Sequence, residues 1–230
     1  MASDSHSLPD ISALTVGILG GTGDQGRGLA YRLAVAGQQV VIGSRDAARG
    51  RQVAADLSGM PGVTTPVDGG DNQEATRRGD VVIVATPWEG HAATLTELGE
   101  HLAGKIVVDC VNALGFDKRG PYPLPVPEGS VTEQAAALLP DSRVCGAFHH
   151  VSAVLLTDPE VAEIELDVLV LGEDRDAVAV VQALAGRIPG MRGVHAGRLR
   201  NAGQVEALTA NLIAINRRYR THSGIRVTHL

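Results

Sequence analysis

Six consecutive residues, Gly21-Thr22-Gly23-Asp24-Gln25-Gly26, constrain this chain more than any others. They match GxGxxG and lie between an apolar run at Val16–Gly20 and a helix-period stretch at Gln25–Ala36. A buried strand that turns through such a sequence straight into a helix opens a doubly wound sheet. Each glycine answers a steric need. Gly21 permits the tight turn, Gly23 lets the backbone approach a ligand, and Gly26 lets the helix lie close to the strand. The helix N-terminus then offers unpaired N–H groups and a partial positive charge, which suit a pyrophosphate. The motif alone is weak. Flanked by this strand, this helix and a second strand at Val40–Gly43, it reads as a dinucleotide-binding turn.

The first half of the chain continues in the same rhythm. Further apolar runs at Val81–Ala85 and Ile106–Cys110 read as strands buried on both faces, with a weaker strand at Val63–Val67. Ala47–Leu57 and Trp88–Leu102 read as amphipathic helices between them. This alternation implies a mostly parallel sheet with right-handed crossovers. The segment Gly115–Gly129 carries four prolines and three glycines and can be neither helix nor central strand. It is either an excursion over a cleft or an inert connection. A helix at Val131–Leu139 and a strand at Arg143–Phe148 follow; the remainder offers a strand (Val168–Leu171) and helices at Ala177–Ile188 and about Val205–Tyr219. The expected fold is α/β: a doubly wound, mostly parallel Rossmann sheet with a small C-terminal α/β annex ending in a long helix. Residues 1–13 are expected to form a flexible tail, 14–157 the nucleotide-binding domain and 158–230 the annex.

Composition agrees. Apolar residues make up 44% of the 230 and aromatics 3%, so the core must be built from Val, Ile, Leu and Ala. A net charge of −6 argues against nucleic acid as a partner. Cys110 and Cys145 sit in apolar runs without CxxC spacing and read as buried reduced thiols rather than a disulfide or metal site. The N-terminus has no signal-peptide pattern, and no apolar run approaches the ~18 residues of a membrane span. A soluble, cytoplasmic protein is expected.

The second strand ends in Ile42-Gly43-Ser44-Arg45. An NAD site places Asp or Glu there to hold the ribose 2′-hydroxyl. A hydroxyl and a guanidinium instead suit a 2′-phosphate, and Arg49, one helical turn on, could reach the same group. NADP(H) is therefore the expected ligand. The reacting end should lie beyond the later strand ends, at Thr86-Pro87-Trp88, at Asn112 and at His149-His150-Val151-Ser152-Ala153. Trp88 reads equally as core residue or cofactor wall. His149 reads as a hydrogen-bond donor to a bound ring, with a satisfied structural histidine as the competitor. Adjacent histidines on a strand face opposite ways, so the pair cannot chelate one ion, and no metal site is expected. The basic cluster Arg217-Arg218-Tyr219-Arg220 is either a solvated helix end or an anchor for an anionic tail. There is no Ser-His-Asp arrangement, no YxxxK pair, no carboxylate dyad and no lysine after Lys118, so no catalytic side chain is assigned.

The segments GILGGTGDQGRGLAYRLAVAGQQVVIGSR, TPWE, KIVVDCVN and GAFHHVSA, with LRNAGQVEALTANLI and SGIRV near the end, resemble the coenzyme F420-dependent NADP reductases. The likeness runs in order from about Thr15 to the C-terminus. It implies reversible hydride transfer between NADP(H) and the deazaflavin coenzyme F420, both small-molecule partners. It also implies that Thr22 through Gln25, Ser44, Arg45 and Arg49 hold the NADP phosphates, and that Trp88, His149 and Val151 to Ala153 lie around the stacked rings. Ala207 and Gly224–Ile225 would close the deazaflavin pocket, with help from a homodimer partner. Such a transfer needs two rings held about 3–3.5 Å apart with water excluded, and no positioned acid in the hydride step. Three other readings use the same residues: an NADPH-dependent reductase of a small imine or ketone with His149 or Thr86 as proton donor, a non-enzymatic NADP(H)-sensing Rossmann protein, and the head domain of a membrane metalloreductase.

Overall fold

The computed structural model describes residues 7–230. From the N-terminus, β1 (Thr15–Leu19), α1 (Asp24–Val35), β2 (Gln39–Ser44), α2 (Ala47–Ser58), β3 (Val67–Asp71), α3 (Asn72–Arg78), β4 (Val81–Val84), α4 (Trp88–Leu102) and β5 (Ile106–Asp109) alternate. The alternation is the one the sequence pattern predicts, with α3 a short helix that the pattern did not show. A separate hairpin follows, β6 (Leu114–Asp117) and β7 (Gly120–Pro123). After it come α5 (Val131–Leu138), β8 (Arg143–Gly146), α6 (Ala153–Thr157), β9 (Leu166–Gly172), α7 (Arg175–Gly186), β10 (Met191–His195) and α8 (Ala202–Tyr219). Eight strands form one sheet in the order β10-β9-β8-β5-β4-β1-β2-β3. Every pairing is parallel except β8 with β9, so the expected mostly parallel doubly wound sheet is present. Residues from 158 onward add β9 and β10 to its edge and end in the long helix α8.

Because strand side chains alternate, the central strands feed two cores at once. Val81 and Ile83 join Ile18, Ile42 and Val108 under α1, α2, α6 and α7. Val82 and Val84 join Leu19, Val41 and Val107 under α3, α4 and α5. The fully buried side chains are mostly branched aliphatics, as the low aromatic content requires, with Phe148 the largest among them. Cys110 and Cys145 are buried and unpaired, and burial pushes both thiols up, Cys145 to about 12.

Several elements depart from the sequence pattern. The third strand is Val67–Asp71 rather than Val63–Val67. Its sequence, VDGGD, opposes strand propensity, but Gly69 lies under α2: a Cβ there would come within 2.3 Å of the Gly50 carbonyl oxygen. The proline-rich segment folds partly into the hairpin, whose Phe116 and Tyr122 are exposed. Of the tail expected at 1–13, residues 1–6 lie outside the described residues. Beyond them Ile11 is buried, and Gln38 donates to the carbonyls of Ile11 (3.1 Å) and Leu14.

Helix α1 carries a buried clamp. Arg32, 5% exposed, donates through Nε to the Leu156 carbonyl (2.9 Å), through Nη1 to Val161 (2.7 Å), and through Nη2 to Leu155 (2.6 Å) and Asp158 (2.7 Å). These carbonyls close the C-terminus of α6 and the loop after it, so the guanidinium acts as the cap that α6 lacks. Gly28 on the same helix lets Leu156 approach, since a Cβ there would fall 2.5 Å from the Leu156 Cβ. Arg32→Met should lower stability by about 2–4 kcal/mol, since it leaves several buried carbonyls unpaired. Arg32→Lys should recover only part, because an ammonium cannot reproduce the planar fork. Urea titration checks this; a methionine variant as stable as the parent would show that the clamp contributes nothing.

Candidate functional site

The β1–α1 turn sets the site. Gly20 holds φ +68°, so the left-handed residue of the turn is Gly20, not Gly21 as the motif suggested. Gly21 is required for a different reason: a Cβ there would meet the Ile42 side chain at 2.6 Å. The Gly21 amide donates to the Gly43 carbonyl (2.9 Å), and the Gly20 amide to Asn72 Oδ1 (3.3 Å), which fixes the turn between β2 and α3. At Gly23 a Cβ would meet just the Gly20 carbonyl oxygen within 4 Å, so its backbone faces open space. Gly23 is also the N-cap of α1, where no side chain caps the helix. The first-turn N–H groups therefore stay available to an anion.

This turn forms one wall of a cleft of about 840 Å³, within the range of small-molecule sites. Its lining brings together Thr22, Gly23, Asp24, Gln25, Ser44, Arg45, Arg49, Thr86 and Pro87 of the residues singled out in the sequence. It adds Asp46, Asn72, Ala85, Glu89, Gly90 and Thr94, which were not. Ser44 Oγ accepts the Asp46 amide (3.2 Å), which leaves its own proton free to donate. Asp46 caps α2, accepting from the amides of Ala48 (2.8 Å) and Arg49 (3.3 Å). Arg45 and Arg49 are exposed, and no ion pair involves either among the described residues. Two free guanidinium groups beside an unblocked hydroxyl suit a doubly charged phosphate.

The remaining candidates group at the ends of β4, β5 and β8, outside the cleft lining. Trp88 starts α4, half-buried, with its ring centroid 5.9 Å from that of His91. Asn112 Nδ2 donates to the His149 carbonyl (2.8 Å), and Thr209 Oγ1 on α8 donates to the same oxygen (3.2 Å). Gln25 Nε2 donates to the Phe148 carbonyl (3.3 Å), which links the phosphate turn to this region. Phe148 itself sits at φ +63°, an uncommon conformation for a bulky residue. Val151 is buried, and Ser152 and Ala153 begin α6. Near the C-terminus, His222 Nδ1 lies 3.2 Å from Ser152 Oγ, the Ile225 carbonyl accepts the Asp167 amide (2.7 Å), and Gly224 packs on Leu166. Ala207 lies one residue past a buried carboxylate on α8.

That carboxylate, Glu206, escaped the sequence reading. Its two oxygens accept from the amides of Val131 (2.9 Å) and Thr132 (3.0 Å) and from Thr132 Oγ1 (2.8 Å), so it caps α5 from another helix. Burial nevertheless pushes its acid strength down, raising the pKa. The Thr132 hydroxyl uses its one hydrogen to donate to Glu206, so the contact with His149 Nε2 (3.4 Å) must be donated by the imidazole. The His149 ring thus points toward Thr132 and Glu206. His91 and Asp109, fully buried and paired, were also missed. A charged residue ending an apolar strand (IVVD) and another on the buried stripe of α8 were the available signals.

A doubly wound sheet with a glycine turn, an uncapped helix N-terminus and a cleft at the carboxyl ends of its strands defines a dinucleotide-binding α/β protein. Comparison with known proteins narrows this. Residues 15–113 match the family model described as NADP oxidoreductase, coenzyme F420-dependent. The F420-dependent NADP reductase of Methanocaldococcus jannaschii is 38% identical over 225 residues, covering 94% of this chain and 99% of the relative. That of Methanothermobacter thermautotrophicus is 36% identical over 229 residues, covering 96% and 97%. A crystal structure of a proposed F420-dependent NADP reductase from Arthrobacter sp. FB24 superposes with a TM-score of 0.79 at 28% identity, covering 94% of this chain and 100% of that one. The chain belongs to the F420-dependent NADP reductase family. No helix among the described residues is long and apolar enough to cross a membrane.

The buried histidines carry a pH signature. Burial pushes His149 and His150 down to about 4, against about 6.5 in an unfolded chain. The unfolded state therefore binds more protons between these values, and the stability held by neutral imidazoles is present above pH ~6.5 and lost as pH falls toward 4. Glu206, with its raised pKa, has the opposite sign and offsets part of that loss. His150→Gln should thus lose less stability than the parent between pH 6.5 and 5 in urea titrations. Equal losses in both proteins would rule out His150 as a source.

Proposed function

We propose that the protein is an oxidoreductase that moves a hydride reversibly between NADP(H) and the deazaflavin coenzyme F420. The observation that carries this reading is the pair of exposed cations, Arg45 and Arg49, without an ion pair among the described residues, beside Ser44 and a helix N-terminus with no side-chain cap, in a chain that aligns over 94% of its length with an F420-dependent NADP reductase. With both partners bound, the nicotinamide and deazaflavin supply the hydride donor and acceptor carbons, and NADPH, F420 and one proton give NADP⁺ and F420H2.

The chain's own residues bind and orient. Thr22, Asp24 and Gln25 offer main-chain N–H groups to the pyrophosphate, while Gly21 and Gly23, whose own amides close the turn, let the backbone approach it. Ser44, Arg45 and Arg49 take the 2′-phosphate. Thr86, Pro87, Trp88, Asn112, His149, Val151, Ser152 and Ala153 surround the rings and exclude water, and Ala207 with Gly224 and Ile225 closes the deazaflavin end. In this division residues 14–157 bind NADP and residues 158–230 complete the second pocket. No side chain is assigned an acid role, because hydride transfer between two carbons creates no alkoxide. The setting is cytoplasmic and the active form a homodimer; exposed Phe116, Tyr122 and Tyr219 supply apolar surface for a partner.

Mixing the purified protein with NADPH and oxidised F420 should bleach the deazaflavin absorbance rapidly, and far more slowly with NADH. Tight NADPH binding without bleaching would sink the reading while leaving the NADP site standing. Arg45→Ala should weaken NADPH binding roughly ten- to a hundredfold, as loss of one charge-assisted contact does, and change NADH use little. Unchanged NADPH affinity in that variant would end the 2′-phosphate assignment.

A further inference from the structure

Three residues past Trp88, in the first turn of α4, His91 lies wholly inside the protein, its side chain 0% exposed. Its Nε2 is 2.5 Å from Asp109 Oδ2, at the end of β5. Its Nδ1 is 3.3 Å from Gln134 Oε1 on α5. The other end of the Gln134 amide favours this orientation, since its Nε2 donates to Glu128 Oε2 at 3.1 Å and the reversed amide would set a carbonyl oxygen against that carboxylate. Both ring nitrogens therefore face acceptors. A neutral imidazole has one N–H and would leave two lone pairs opposed at one of the two contacts.

From this geometry we infer that His91 is a buried imidazolium that ties the ends of β4 and β5 to α5, a positioning residue for the ring half of the site. The role in positioning rests on the hydride-transfer reading above; the charge rests on the contacts alone. Every charged group facing the ring is acidic: Asp109 from β5, Glu206 from α8, and Glu128 behind Gln134. Burial opposes the charge, but the Asp109 hydrogen bond and charge, with the Gln134 hydrogen bond and the Glu206 charge, together outweigh it and hold the His91 pKa above the usual histidine value.

Sealed from solvent, His91 touches no substrate. What it holds is spacing. Thr86 and Pro87, immediately before α4, line the cleft. Asp109 uses its second oxygen to accept the Val111 amide (2.9 Å), and Asn112, the next residue, secures the His149 carbonyl. One cation thus joins the turns after β4 and β5 and, through Asn112, the turn after β8. These three turns would flank the rings. The adenosine end lies over β1 and β2 and does not depend on it.

The test has two readouts on the full chain. In protein carrying ¹⁵N-labelled histidine at pH 8, both His91 ring nitrogens, assigned by their loss in His91→Gln, should give protonated-type signals. A pyridine-type nitrogen at His91 would overturn the charge. Asp109→Asn keeps the shape, removes the counter-charge and should return His91 to the neutral form, which gives a second route if His91→Gln does not fold. In either variant the NADPH Kd should stay within about twofold of the parent while kcat for F420 reduction falls roughly ten- to a hundredfold. A lowered Tm with kcat unchanged would overturn the positioning role. Parent protein that binds NADPH but never bleaches F420 would instead refute the functional reading, with the ¹⁵N result still deciding the charge.

Discussion

Backbone meets backbone at the end of β1 with no room for a single Cβ, and the placement of the phosphate-binding helix follows from that contact. A Cβ at Gly26 would lie 2.7 Å from the Gly21 Cα and 2.8 Å from the Gly20 carbonyl oxygen; one at Gly20 would lie 2.7 Å from the Ala85 carbonyl oxygen. Helix α1 can therefore approach the end of β1, and the turn the end of β4, more closely than side-chain packing would allow, and the helix N-terminus emerges directly over the strand ends. The same closeness recurs at Gly17, where a Cβ would sit 2.3 Å from the Ala75 carbonyl oxygen, and seats α3 against the other face of the sheet. With α1 and α3 fixed in this way, Gly43, Ser44 and Asn72 surround the turn without further adjustment. Any enlargement at these glycines would displace the helix whose free N–H groups define the anion site.

The ring half is built on another principle. There the strand-end turns are held by buried polar side chains rather than by backbone contact. Asp109 holds His91 and the Val111 amide, Glu206 caps α5 and orients His149, and Asn112 and Thr209 share the His149 carbonyl. Buried carboxylates are costly unless their oxygens are fully engaged, and here each accepts two or more hydrogen bonds. A network of this kind is rigid when complete and fails when one member is lost. That suits a site that must keep two planar rings at a fixed separation.

How much of this was legible in the sequence follows from the same contrast. That the turn, Ser44, Arg45 and Arg49 line one cleft was readable because they lie within about one βαβ unit, and their spacing carries the geometry. Strands β1, β2, β4 and β5 announced themselves as short apolar runs. The third strand did not, because its glycines answer to the approach of Gly50 on α2, a contact between elements that no propensity records. The hairpin was hidden by its prolines, and α6 by its length of five residues and its reliance on Arg32 from α1 for a cap. His91, Asp109 and Glu206 were missed because each looks ordinary in its own element. Their meaning lies in partners 18, 43 and 75 residues away.

These two constructions give the ends of the ligand different tolerances. At the proposed phosphate end the candidate charges are exposed and the backbone supplies the rest, so a change at Arg45 or Arg49 leaves the core undisturbed. At the ring end the groups that set geometry are the ones sealed from water, and substituting any of them changes packing and placement together. Under the proposed reading, nucleotide preference can therefore shift by single surface substitutions that leave the core intact, whereas a single change at the ring end disturbs packing, and a new well-packed ring placement requires several buried partners to change together. The His91–Asp109 pair concentrates that constraint. It links three secondary-structure elements through one side chain: removing His91 leaves the Asp109 carboxylate buried without its partner, and removing the carboxylate takes away the charge that favours a protonated His91.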